Sequence, residues 1–250
     1  MRRIWHFLLK HLRINKILEK QDKILRSQDN ILRLQTETLY AQRFNNTIID
    51  SHWLKYRSFS PGGWAVDYGL LYTLYRVLNG IQPKHILVFG LGQSSKMVHQ
   101  YANYYQIEAV TCEHDNQWIS FFNEGRDGDY NITIQKMELE TITYKGMETL
   151  TYKDINKFMG GKKFDFILVD GPRGSKQFSR SQIVDIARNN LSPSVCIIID
   201  DTERKGEQAT IQEVISVLES SGIQYCRREY SASKKHTLIC SLDHKFLTSL

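Results

Sequence analysis

Four carboxylates stand where a chain that alternates strands and helices collects its chemistry. Glu113 closes the apolar run Ala109–Cys112, Asp170 closes Phe164–Val169, and Asp200 with Asp201 closes Val195–Ile199. Another apolar run, Ile86–Phe89, ends instead in Gly90-Leu91-Gly92, and a helix-like stretch follows from Ser94. Strand, glycine turn, helix, strand and terminal acid is the order in which doubly wound sheets bind nucleosides. The ligand lies outside the carboxyl ends of the strands, and the acid takes the ribose hydroxyls.

The third glycine of a dinucleotide fingerprint is absent, and Ser95 stands in its place. No pyrophosphate cradle is indicated. An adenosine without phosphate, such as S-adenosylmethionine, fits the pattern better, against the bland alternative of a structural strand-to-helix turn. Asp170, Asp200 and Asp201 end neighbouring central strands, and three carboxylates meeting there repel unless a cation or proton holds them. Oxygen-only ligands suit Mg²⁺ or Mn²⁺. Methyl transfer from a sulfonium to a hydroxyl needs an in-line approach and loss of a proton. A metal on Asp170, Asp200 and Asp201 serves that need, as does Asp170 or Asp201 acting as general base without one. A third reading leaves Asp200 capping local amides.

The elements that must position these residues follow from the apolar runs. Strands are expected at 85–90, 108–113, 131–137, 164–170, 194–200, 223–229 and 235–241. Helices are expected near 94–104, 115–124, 153–159, 178–189 and 207–221, with an earlier one over 64–78 closed by Asn79-Gly80. The alternation predicts an α/β, doubly wound, mostly parallel seven-stranded sheet with helices on both faces. The last two strands are joined only around Ser231-Ala232-Ser233, too short for a parallel crossover, so they form a terminal antiparallel hairpin.

Residues 1–43 read as helix of two kinds. Ile4, Trp5, Leu8, Leu9 and Leu12 share one face of a basic stretch over residues 1–20, which suits either a membrane surface or packing on protein. It is too short to span a bilayer and lacks the core and cleavage site of a signal peptide. A seven-residue repeat then runs QDKILRS, QDNILRL, QTETLYA, with Ile17, Ile24 and Ile31 in register beside Leu18, Leu25, Leu32 and Leu39. That period predicts a coiled coil joining subunits, with a single helix folded back on the domain as the alternative. Residues 44–63 read as a linker whose aromatics Trp53, Tyr56 and Phe59, with Trp64 beyond, form either a lid or plain packing. The expected division is thus 1–43, 44–63 and a main domain over 64–250.

The net charge of +6 lies in the first segment, where ten Lys and Arg oppose four Asp and Glu. The main domain is balanced, so a nucleic-acid face is not indicated. Four scattered cysteines show no metal or disulfide spacing and read as free thiols in a reducing compartment.

The segments ILVFGLGQSSKM, VTCEHDNQWI, FDFILVDGPRG and IIIDDTERKGE resemble class I S-adenosylmethionine-dependent methyltransferases. The resemblance spans roughly residues 84–241. It is nearest to the plant glucuronoxylan 4-O-methyltransferases and bacterial relatives found with polysaccharide biosynthesis. It implies a methyltransferase-type Rossmann sheet, with Phe89, Gly90, Gly92, Gln93, Ser94, Glu113, His114 and Asp170 at the cofactor. It puts Asp170, Arg173 and Asp201 at the chemistry, and Arg173, Arg180, Arg204 and Glu207 on the acceptor side. Each arginine either pairs with a rim acid or grips an acidic sugar. The spacing of Asp170, Asp200 and Asp201 also resembles the metal triad of catechol O-methyltransferase. The expected activity is O-methylation of a sugar hydroxyl on a glycan or glycolipid acceptor. The expected place is cytoplasmic, peripheral on the inner face of the membrane. A nicotinamide-dependent oxidoreductase and a non-enzymatic coiled-coil scaffold are the rival readings.

Overall fold

A computed structural model describes residues 2–63, 65–124 and 132–249, with side chains from residue 14 onward. Trp64, Asn131 and the side chains of Ile4, Trp5, Leu8, Leu9 and Leu12 lie outside the described residues.

The apolar runs become strands β1 (His85–Phe89), β2 (Glu108–Glu113), β3 (Thr133–Lys136), β6 (Phe164–Val169), β7 (Leu191–Ile199), β8 (Tyr225–Ser231) and β9 (Lys235–Ser241). They form one seven-stranded sheet in the order β3-β2-β1-β6-β7-β9-β8. Strands β3, β2, β1, β6 and β7 are parallel, and β9 pairs antiparallel with both β7 and β8. The expected methyltransferase-type Rossmann sheet with a terminal hairpin is therefore what forms. Central strands are apolar over most of their length because both faces are covered. One face carries Ile86, Val88, Phe166 and Leu168 against α2 (Tyr68–Ile81) and α3 (Gln93–Tyr105). The other carries Leu87, Phe89, Ile167 and Val169 against α6 (Gln182–Asn189) and α7 (Lys205–Ser220).

Register places the chemistry. Phe89 lies beside Cys112 and Val169, and Val169 beside Ile199. The next residue on each strand is Gly90, Glu113, Asp170 or Asp200. One row of hydrogen bonds thus delivers the glycine turn and three acids to a single sheet edge, at the point where chain order reverses on either side of β1.

Two helix boundaries and one small sheet differ from expectation. Helix α2 starts after Asp67, whose Oδ1 accepts from Leu70 N at 2.8 Å, and it runs through Gly80 to Ile81. A Cβ at Gly80 would lie 3.0 Å from the Phe246 ring, so Gly80 answers to packing and not to a helix stop. Helix α6 starts at Gln182, because Phe178 and Arg180 hold φ of 48° and 59°, outside helical space. A second sheet, β4 (Leu139–Tyr144) with β5 (Met147–Tyr152), was not expected. Its turn is Lys145-Gly146, both at positive φ, the two-residue hairpin geometry.

The first helix, α1, is continuous from Arg2 to Thr47, about 70 Å at 1.5 Å per residue. Its last turns are not linker. Tyr40, Phe44 and Ile48 enter the core, followed by Trp53 and Leu54. Trp53 stacks on Tyr75 at 5.1 Å and its Nε1 donates to Asn79 Oδ1. Phe59 meets Phe44 edge-on at 5.6 Å. For these two aromatics plain packing is what forms, because each finds a ring partner in the core. The expected boundary at 43 falls inside a helix whose C-terminal end is core of the main domain.

Phe44 is fully buried, so Phe44→Ala should cost about 3–5 kcal/mol of unfolding free energy. Ile24→Ala, on the exposed part of the same helix, should change it by less than about 0.5 kcal/mol at concentrations where the chain is monomeric. Urea denaturation followed by circular dichroism measures both.

Candidate functional site

A cleft of about 290 Å³ opens over the carboxyl ends of β1, β2 and β6. Its floor is Gly90, Leu91, Gly92 and Gln93, with Glu113 and His114 on one side and Asp170 to Arg173 on the other. The two turn glycines have different causes. Gly90 has φ +95°, and a Cβ there would lie 2.4 Å from Asp170 O. It is glycine because β1 and β6 must approach and because L residues avoid that conformation. Gly92 is extended, and among the described residues a Cβ there would meet no atom within 4 Å. It caps α3, where glycine is tolerated, and the space beside it belongs to the cleft.

Ser95, standing where the third glycine was missing, closes the turn on itself. Its Oγ donates to Gly90 O (3.0 Å) and accepts from Gly92 N (3.2 Å). Glu113 braces the turn from β2: Oε2 accepts from Leu91 N at 3.0 Å. Its Oε1 accepts from the amides of His114 and Asp115, with His114 Nδ1 at 2.7 Å. A carboxylate has about four acceptor sites, so Oε2 retains capacity for one more donor.

Of the residues expected at the cofactor, Gly90, Gly92, Gln93, Glu113, His114 and Asp170 line this cleft. Phe89 lies wholly beneath it, stacked on Tyr152 at 5.8 Å. Ser94 is fully buried and its Oγ has no partner. Trp118, Phe121 and Tyr152 also line the cleft and were not singled out. The run Trp118 to Phe122, just past the acid of β2, carried the signal: three aromatics, two of them exposed, on a short helix, α4 (Asn116–Glu124). Trp118 Nε1 donates to Leu91 O, which fixes the ring at the cleft edge.

Beyond the cleft lies the acid cluster. One oxygen from each of Asp170, Asp200 and Asp201 falls within 4.8 Å of the others. Asp201 holds φ +61°, a strained backbone for a non-glycine residue. Arg180 sits beneath the three. It donates from Nε to Pro172 O, from Nη1 to Val169 O and Asp200 O, and from Nη2 to Asp201 Oδ2 at 2.7 Å. It is therefore a buried cation with its donors committed, not the acceptor-binding arginine that was one of its two expected roles. Arg204 Nη1 lies 3.0 Å from Asp201 Oδ2, and Lys234 Nζ 3.8 Å from Asp201 Oδ1. Glu207, also expected on the acceptor side, is fully buried, with Oε1 accepting from Ser179 Oγ at 2.9 Å. Burial removes it from any acceptor surface and raises its carboxyl above the usual range. Arg173 is exposed on the cleft wall, where a ligand can reach it.

The cluster is under electrostatic load. Burial first, then Asp170 and Asp201, pushes Asp200 well above the ordinary carboxylate range. Burial likewise raises Asp170 to about 6, against the pull of Arg180. Among the described residues both oxygens of Asp200 and Oδ1 of Asp201 are buried without a donor, unless Asp200 shares a proton with Asp170. Unsatisfied hard oxygens converging on one point fit Mg²⁺ or Mn²⁺, with Asp170, Asp200 and Asp201 as the donors. A proton on Asp200 shared with Asp170 is the metal-free way to meet the same cost.

No protein-family model matches this sequence, and no curated protein does. Solved structures resemble it in fold. The SAH-bound methyltransferase PaMTH1 of Podospora anserina shares 14% identity over 82% of this chain and 87% of its own, with a TM-score of 0.48. A methyltransferase of Pyrococcus furiosus shares 14% over 83% and 96%, at 0.46. The precorrin-6y C5,15-methyltransferase of Geobacter metallireducens shares 12% over 73% and 93%, at 0.46.

The raised Asp200 makes a signed prediction for metal-free protein. Below about pH 4 the carboxyl is protonated folded or unfolded, so the wild type keeps its full stability. As pH rises, the unfolded chain loses its proton first and the folded state falls behind. Asp200→Asn carries no such penalty. With chelator present it should match the wild type near pH 4 and exceed it by about 1–3 kcal/mol at pH 8, read as the difference in chemical denaturation at the two pH values.

Proposed function

We propose that this chain is an S-adenosylmethionine-dependent O-methyltransferase. It acts on a sugar hydroxyl of a surface polysaccharide or its lipid-linked precursor, with a divalent cation at the acid cluster. The observation that carries the reading is Gly92. It faces a nucleoside-sized cleft, has no described residue in the space a side chain would take, and sits in a cleft that Asp170 joins to the cluster.

The remaining capacity of Glu113 Oε2 suits a ribose hydroxyl, and Trp118 offers a ring face at the cleft edge for a base. S-adenosylmethionine supplies an electrophilic methyl group on a sulfonium. A Mg²⁺ or Mn²⁺ held by Asp170, Asp200 and Asp201 would lower the pKa of an acceptor hydroxyl. In the metal-free alternative, Asp170 is the group that would take the hydroxyl proton. It is 18% exposed, whereas Asp201 Oδ2 is engaged by Arg180 and Arg204. A carboxyl raised to about 6 is mostly ionised at neutral pH yet basic enough to accept a proton. Exposed Arg173 meets the acceptor at the cleft wall, and its planar fork suits a uronate.

The test pairs binding with transfer. S-adenosylhomocysteine should bind in calorimetry and NAD should not. Gly92→Val should fold as the wild type does and bind S-adenosylhomocysteine at least about tenfold more weakly, because the side chain enters the ligand's space. Labelled methyl from S-adenosylmethionine should appear on glycans extracted from the host and be lost with a chelator or in Asp170→Asn. NAD binding in place of the homocysteine ligand, or transfer untouched in Asp170→Asn, refutes the assignment.

For the N-terminal helix we propose self-association through the heptad face and contact of residues 1–20 with an anionic membrane at the inner leaflet. Ile17, Leu18, Ile24, Leu25, Ile31 and Leu32 are each at least half exposed, an apolar stripe that recurs every seven residues. No helix among the described residues is long and apolar enough to cross a membrane, so contact would be peripheral. Sedimentation equilibrium should show an oligomer that Ile24→Asp with Ile31→Asp reduces to monomer. Anionic liposomes should co-sediment the full chain and release one lacking residues 1–20, and equal sedimentation of the two sinks the membrane contact.

A further inference from the structure

Lys234 is the one cation of the acid cluster that comes from the β8–β9 turn, far in sequence from the other members. What holds it there begins on α1. Glu37, half-buried three residues before Tyr40 of the core, accepts from two amides. Oε1 takes Tyr68 N at 2.8 Å, at the start of α2, and Oε2 takes Ser233 N at 3.4 Å. Asp67 works from the same side. Its Oδ1 caps α2, and its Oδ2 accepts from Lys234 N at 2.8 Å and Ser233 Oγ at 3.3 Å. The two carboxylates thus converge on one turn, and burial and the proximity of Asp67 raise Glu37 above its usual range. Gly69 lets the pieces meet, since a Cβ there would lie 2.7 Å from that of Ala232. Set by this clamp, the Lys234 side chain donates from Nζ to Ala65 O at 2.8 Å and ends 3.8 Å from Asp201 Oδ1. A groove of about 210 Å³ separates the turn from α1, with Thr36, Arg33, Glu203 and Lys234 among its walls.

We propose that Glu37 and Asp67 are positioning residues that hold Lys234 against the acid cluster, so that the N-terminal helix sets the charge of the site. Lys234 supplies one of the positive charges facing Asp201, and it is the one that depends on a helix outside the sheet's own connections. A stalk that joins subunits and a site that moves a methyl group then share a mechanical link through Glu37. The geometric part stands without any assumption about the reaction. The consequence for cation binding rests on the proposed function.

Two readouts decide it, on the full chain. The first is the rate at which an amine-reactive acylating reagent labels Lys234, by mass spectrometry, with exposed Lys55 as internal reference. In the wild type Lys234 should react at least about tenfold more slowly than Lys55. Glu37→Gln keeps the length of the side chain but replaces one acceptor with a donor, and should raise Lys234 labelling severalfold while Lys55 is unchanged. The second is Mn²⁺ affinity by calorimetry. Lys234→Met removes a neighbouring positive charge and should tighten Mn²⁺ by about fivefold or more, Lys234→Arg should restore the wild-type value, and Glu37→Gln should fall between. Labelling of Lys234 as fast as Lys55 in the wild type, or unchanged by Glu37→Gln, overturns the clamp. Mn²⁺ affinity equal in the wild type and Lys234→Met overturns its electrostatic consequence. S-adenosylhomocysteine binding separates the two levels. If the wild type fails to bind it while Lys234 is protected, the proposed reaction falls and the clamp stands. If it binds while Lys234 is unprotected, the reverse holds.

Discussion

A single buried guanidinium makes the acidic end of this sheet possible. Arg180 bonds the ends of β6 and β7 and the loop after Asp170 through backbone carbonyls, and it meets Asp201 through its side chain. Without it, three carboxylates would face each other across less than 5 Å with little water to screen them. A lysine would not substitute, because one ammonium cannot reach three carbonyls and a carboxylate in a fixed plane. The strained backbone of both Arg180 and Asp201 is understandable on these terms. Each is held out of its preferred conformation by the network it completes.

The cluster also separates informative titration shifts from uninformative ones. His236 is pushed down to about 3 and Cys112 up to about 12, chiefly by burial. Both sit in the core, and His236 bonds Thr73 while stacking on Tyr230. Desolvation alone describes a packed interior. Asp170 and Asp200 differ because burial acts together with several charges at a sheet edge that opens on a cleft, the combination that marks a site prepared for chemistry.

How much of this can be read before folding depends on the range of the interaction. Apolar runs ending in acids are local, and buried parallel strands leave few other readings, so β1, β2, β6 and β7 and the row Gly90, Glu113, Asp170 and Asp200 follow from the residues alone. The β4–β5 hairpin is also local. Lys145-Gly146 between threonine-rich runs signals it, but the alternating Glu and Thr lack the apolar face by which the other strands are recognised. The roles of Arg180, Glu207 and Lys234 are another matter. Whether an arginine near a carboxylate rim reaches into solvent or beneath the acids depends on φ at its own residue and on strands far off in sequence. The same limit applies to α1. The heptads are visible, yet the change from seam to core between Glu37 and Ile48 shows only as a spacing of four between large apolar residues, Tyr40, Phe44 and Ile48.

Gly90 and Gly92 show how a fold's own constraints can be separated from those its ligand imposes. Both stand in one turn, and residue type cannot distinguish them. The backbone of β6 forbids a side chain at 90. At 92 the conformation is extended and no described residue lies where a side chain would go. Glycine is acceptable there as the N-cap of α3, and the space beside it stays open to a ligand. The oxygens of Asp200 carry a cost: ionised, they are buried acceptors without a donor, and either a cation or a proton shared with Asp170 relieves it. An open space at the cleft floor and a cost at its acidic end lie at the same sheet edge with Asp170 between them. On the reading proposed above, a nucleoside would fill the first and a cation or a shared proton settle the second, which is the physical reason for treating the edge as one site.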